Sequence, residues 1–178
     1  MPDVFLVVIV IAVALIFDFI NGFHDSANSI ATVVATGVLT PLGAVAIAAF
    51  FNFIGAFVFT VAVATTIGKG VIAPSVVNLH VILAALAGGI VWNLFTWKLG
   101  LPSSSSHALV GGLTGAALAA GGFAAVQANG LVTIATFIVL APFLGMVGAI
   151  IFALVIMHLF ARSMPKKMNF YFNMPMTN

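Results

Sequence analysis

Residues 18–32 read DFINGFHDSANSIAT and interrupt an oily chain with two aspartates, a histidine and two asparagines. Only 4% of the 178 residues are charged and 63% are hydrophobic, so Asp18 and Asp25 are two of just three acids. Both fall deep inside an apolar run that begins at Val4. A charge at such depth costs at least ~2.5–3.5 kcal/mol on insertion scales, and it needs a partner, water or a bound ion. The same composition decides the fold class. A soluble domain carries about a quarter charged residues, whereas this chain has a mean hydropathy of +1.33. The expected architecture is all-α, a polytopic membrane helical bundle.

Outward from this stretch, Val4 to Ile20 is the first apolar run and Asp25 to Val38 a second helical piece. Together they exceed ~50 Å at ~1.5 Å per residue, longer than a ~30 Å hydrocarbon core, which predicts a break or strong tilt near Gly22. Further spans are expected over 42–67, 76–98 and 131–160, with loops at 68–75 and 127–130. Trp92 and Trp97 beside Lys98 read as interfacial anchors. Residues 108–125 are expected to form a helix of very small residues, and the face made by Gly112 with the i+4 pair Gly111 and Gly115 predicts close approach of another helix. Roughly four to six crossings or half-crossings fit this length.

Met1-Pro2-Asp3 offers no basic segment, so the first helix is expected to be retained. The absence of cysteine rules out disulfides and thiolate metal sites. The net charge of +2 owes much to Arg162, Lys166 and Lys167 after the last apolar run. These read as a topology marker that favours a cytoplasmic C-terminal end. Residues 1–167 are expected to form the membrane unit, and 168–178 an irregular tail and a point of truncation.

Asp18, Asn21, Asp25, Asn28 and Thr32 follow at spacings of 3, 4, 3 and 4, which is one face of a continuous helix. Such a stripe is expected to face the bundle interior or a water-filled cavity. Carboxylate, amide and hydroxyl oxygens are hard ligands that suit Na⁺ or a proton relay. The alternative is polar glue between helices, a task more often given to Ser, Thr or Asn than to two carboxylates. His24 lies within the same stretch, and a histidine side chain suits proton coupling.

Pro102 precedes four serines, Ser103 to Ser106, and His107. This reads as a helix start at membrane depth, whose unpaired N–H groups and positive dipole end attract anions. Serine hydroxyls add donors without a fixed charge, which suits an anion that must be released. Four consecutive serines exceed what one helix cap uses. Asn52 and Asn93, inside spans, read as interhelical glue, and His80 and His158 as interfacial groups. No nucleotide loop, zinc motif or haem pattern is present, and an enzyme is not expected. An intramembrane aspartyl protease would need a second aspartate on another helix, and none follows Asp25.

The run from Gly22 to Thr32 resembles the signature of the inorganic phosphate transporter (Pit) family, roughly G-x-(N/H)-D-x-A-N-(A/S). The block from Pro102 to Gly112 resembles the family's second conserved segment, about 80 residues on. The resemblance runs over essentially Val4 to Lys167. It implies a secondary transporter that moves inorganic phosphate with a coupling cation. Asp25 and Asn28 then fall at the cation site, with Asn21, His24, Asp18 and Thr32 beside them. Ser104, Ser105 and Ser106 fall at the half-helix end that meets phosphate, flanked by Ser103 and His107. His24 stands where many sodium-coupled members have Asn and resembles the bacterial low-affinity branch, which implies proton coupling and uptake of a neutral metal–phosphate complex. The expected cofactor is none beyond the coupling ion, H⁺ or Na⁺, and the expected location is the bacterial cytoplasmic membrane. Members have two inverted halves, each with a signature copy. This chain has one copy, so it is expected to be one repeat, with a broken first helix and a serine-rich half-helix. It would work as a homodimer, with a separate second half, or not at all.

Overall fold

The computed structural model describes residues 3–58 and 70–160. Five helices account for most of them: α1 (Val4–Ala35), α2 (Pro41–Val58), α3 (Leu79–Lys98), α4 (Ser105–Gly121) and α5 (Ala128–Phe160). No strand occurs among the described residues, and the one β-type contact is an isolated antiparallel bridge between Ile72 and Val126. Three helices, α1, α3 and α5, are long and apolar enough to cross a membrane. The expected all-α membrane architecture therefore holds. Residues 59–67 of the second expected span, the basic residues 162, 166 and 167, and the tail 168–178 lie outside the described residues.

One expectation is corrected. Helix α1 runs unbroken for 32 residues straight through Gly22. A single glycine weakens a helix by only about 1 kcal/mol relative to alanine. Opening the backbone in lipid would strand N–H and C=O groups at several kcal/mol each, so the continuous ladder wins. At roughly 48 Å, α1 spans a hydrocarbon core only when tilted or with its ends outside it. Asp3 starts the helix by accepting a hydrogen bond from the Phe5 N–H at 3.1 Å. Gly37, with φ of +71°, follows its C-terminus.

Helix α3 starts where the Asn78 carboxamide oxygen accepts from the N–H groups of His80 and Val81, both at 3.0 Å. Its end turns through Gly100, whose φ of +66° leads directly into the serine block. The two segments read as plain loops are joined to each other. The Ala73 N–H donates to the Ala125 carbonyl at 2.8 Å, and the Gln127 N–H donates to the Val71 carbonyl at 2.9 Å. The Gln127 side chain adds a bond to the Ile72 carbonyl, and Val71 and Ile72 are essentially inaccessible.

The chain divides into two compact units, residues 1–131 and 132–178. The first holds α1–α4 and a small apolar core of Val10, Phe17 and Leu86, with Ile82, Leu83, Ile90 and Leu109 against it. The second is described by the continuation of α5, which passes through Pro142 without ending and buries none of its residues.

Candidate functional site

Three helices of the first unit meet around Gly89. A Cβ built there would lie 2.9 Å from the Phe17 ring of α1 and 3.8 Å from the Ala108 backbone of α4. Six residues beyond Phe17, Phe23 stacks edge-on against Trp97 with ring centroids 5.4 Å apart. Helices α1 and α3 therefore run in the same direction. Helix α4 runs against α3, because Gly112 sits on the Ala85 carbonyl while Ala108 sits beside Gly89.

The glycine that permits this approach is Gly112, together with Gly88, whose Cβ would lie 3.7 Å from the Gly112 Cα. The expected pair Gly111 and Gly115 faces open space instead. All three are small, so spacing could not distinguish them. The register of α4 on α3 does.

One helical turn beyond Gly89, the seam becomes polar. Asn93 of α3 is fully buried, and so is Ser105 at the start of α4. His24 of α1 is 7% exposed, and Asn21 is half-buried with its carboxamide oxygen shielded. Asn93 Oδ1 and Nδ2, Asn21 Oδ1, Ser105 Oγ and His24 Nδ1 have no hydrogen-bond partner. Each such group costs about 1–3 kcal/mol while it stays unbonded. The same level is fixed from the side by Trp92, whose indole N–H donates to Ser103 Oγ at 3.2 Å.

The serine block thus divides its work. Ser103 accepts from Trp92, and Ser104 is the N-cap of α4, accepting from the His107 N–H at 3.5 Å. Ser105 is buried, while Ser106 and His107 are exposed. Trp92, read with Trp97 as a membrane anchor, also holds this loop, and Trp97 braces the signature helix through Phe23.

The acidic stripe is placed less deeply than expected. The face of α1 that packs is Val10, Phe17 and His24, at spacings of seven. At about 100° per residue Asp18, Asp25 and Thr32 are turned to one side of that face, whereas Asn21 and Asn28 point to the same side as Val10. Asn21 and Asp25 are half-buried, but Asp18, Asn28 and Thr32 are exposed. The stripe therefore enters the seam only in part, at Asn21 and Asp25. Neither the Asp18 nor the Asp25 carboxylate is paired among the described residues; the nearest bond, from Ser29 Oγ at 3.0 Å, ends on the Asp25 backbone carbonyl.

A cavity of about 450 Å³ joins the signature to the turn before the serines. His24, Ser26 and Asn28 line it from α1, with Trp97, Gly100 and Pro102 opposite. A second, of about 500 Å³, is lined by Trp92, His107, Ala108 and Gly112. Asp18, Asn21, Asp25, Thr32 and the four serines line neither, so these openings flank the buried polar level without containing it.

Comparison with known proteins decides the family. The model of the phosphate transporter family matches residues 21–177. The chain belongs to the phosphate transporter family. A "probable low-affinity inorganic phosphate transporter" of Rhizobium meliloti is 54% identical over 160 residues, covering 90% of this chain and 48% of that protein. Its namesake in Bacillus subtilis is 48% identical over 153 residues, covering 84% of this chain and 46% of that one. A solved structure titled "The sodium-dependent phosphate transporter" superposes with a TM-score of 0.80 at 32% identity, over 91% of this chain and 42% of that one. This phosphate transporter family member thus spans about half the length of the relatives it matches. Family membership and the three membrane-length helices make it an integral, multi-pass membrane protein of a transporter family, not an enzyme family.

Proposed function

We propose that this chain carries the phosphate- and cation-binding half of a symporter for inorganic phosphate. The observation that carries this reading is the polar level beyond Gly89, where signature residues of α1 meet the serine start of α4. The cation side is Asp25 and Asn28 with Asn21, His24, Asp18 and Thr32. The anion side is the start of α4, with Ser103 to Ser106 and His107. Free N–H groups and hydroxyls of that helix start suit a divalent anion, and the neighbouring cation offsets its charge in a low-dielectric site. The coupling ion is H⁺ or Na⁺, and the cargo is phosphate, free or as a neutral metal complex. The relatives named above are bacterial, which supports a place in the cytoplasmic membrane.

A second reading makes the chain one subunit of a split transporter, or a fragment without activity. The exposed faces of Asp18, Asn28 and Thr32 favour a missing cover, supplied by a second copy or a separate half. Expression in cells that lack their own phosphate uptake tests the first reading. Labelled phosphate should accumulate, and an ionophore that collapses the coupling gradient should stop it. Accumulation no greater than in empty-vector cells would contradict transport by this chain.

A further inference from the structure

A tryptophan that only anchors a span at the membrane surface gives its indole N–H to water or to lipid headgroups. Trp92 gives its own to the protein, donating to Ser103 Oγ at 3.2 Å across the turn that leads from α3 into the serine block. Its ring packs against Phe95 of the same helix, with centroids 6.2 Å apart. The side chain also lines a cavity of about 500 Å³ together with His107 and Ala108 of the first turn of α4. That turn carries free donors. The His107 N–H goes to Ser104 Oγ and the Ala108 N–H to the Ser104 carbonyl. The Ser105 and Ser106 N–H groups are left without a partner among the described residues.

We infer that Trp92 is a positioning residue for the start of α4, and that it acts by fixing Ser103 as a hydrogen-bond donor. A serine hydroxyl has one proton and two lone pairs, and it rotates to suit its surroundings. Once the indole N–H occupies a lone pair, the Ser103 proton points away from Trp92 and is free to be given. Accepting from Trp92 also polarises the O–H and strengthens the bond it makes on its other side. An anion is held by donors alone, so a hydroxyl fixed in this sense is ready for phosphate before phosphate arrives. Tryptophan suits the task because its indole nitrogen donates and never accepts, so the chain of bonds runs one way. The bond also ties the residue ahead of the Ser104 cap to α3, which limits how far the start of α4 can move from it. The inference deepens the transport reading, and it rests on that reading for the place of phosphate at the start of α4.

The test is thermal unfolding of the purified chain in lipid nanodiscs, titrated with sodium phosphate against sodium chloride of equal ionic strength. Wild type should be stabilised by phosphate. Trp92→Phe keeps an aromatic ring and removes only the donor, and Trp92 is 52% exposed, so the variant should fold. Its phosphate affinity should fall about fivefold, the size of one neutral hydrogen bond. Its melting temperature without phosphate should stay that of wild type. Ser103→Ala breaks the same bond from the other end and should lose at least as much affinity. Adding Trp92→Phe to Ser103→Ala should then cost nothing more, because the indole acts only through that hydroxyl. A merely structural Trp92 would lower the melting temperature without phosphate and add its loss to that of Ser103→Ala. Unchanged affinity in Trp92→Phe overturns the inference, as do additive losses in the double variant, and both leave the transport reading standing. A wild type that phosphate does not stabilise overturns that reading and this inference with it.

Discussion

Replacing Asp25 with asparagine should abolish coupled phosphate uptake while leaving the amount of membrane-inserted protein unchanged or higher. The carboxylate lies midway along an apolar helix, is half-buried, and has no partner among the described residues. Keeping a charge there is expensive. Asparagine has nearly the same shape and relieves that cost, so nothing structural is lost. What disappears is the negative charge that the proposed function assigns to the coupling cation. Uptake should fall by about a hundredfold or more, equivalent to roughly 2.7 kcal/mol of ligand stabilisation at ~1.4 kcal/mol per tenfold. Uptake measured beside a quantitative blot checks this, and normal uptake in the variant would remove Asp25 from the site.

The second large effect is expected at Gly112. Any Cβ there would collide with the Ala85 carbonyl, which is backbone and cannot swing aside. Gly112→Val must push α4 off α3. Overpacking of this kind costs about 1–3 kcal/mol or more. The neighbouring Gly111 faces open space, so Gly111→Ala should be close to neutral. Thermal unfolding of both variants in nanodiscs gives the comparison. Equal stability would mean that α3 and α4 do not approach through Gly112.

The helical membrane architecture was legible from composition, because so few charges and such long apolar runs have no other stable home. The signature and the serine block were legible because polar residues in lipid are costly and stand out. Their detailed roles were not. Which way α1 turns depends on Phe17 packing beside Gly89, a tertiary contact that no local pattern announces, and that rotation turns Asp18 aside into an exposed position. The expected break at Gly22 does not occur because freeing backbone groups in lipid costs more than tilting a helix longer than the hydrocarbon core. Gly112 was hidden among equally small neighbours. Asn93 looked like glue because no local pattern shows that it is fully buried with neither polar atom hydrogen-bonded. Trp92 was hidden for a similar reason, since its bond to Ser103 spans a turn whose path the sequence does not specify.

The central claim is that this chain binds phosphate and a cation together and moves them across a membrane. It is tested most directly by labelled-phosphate uptake into sealed liposomes containing only the purified chain, with a proton or sodium gradient imposed. Uptake above that of protein-free liposomes, driven by one of the gradients and lost without it, is the predicted result. Phosphate that stays outside under both gradients would contradict the claim.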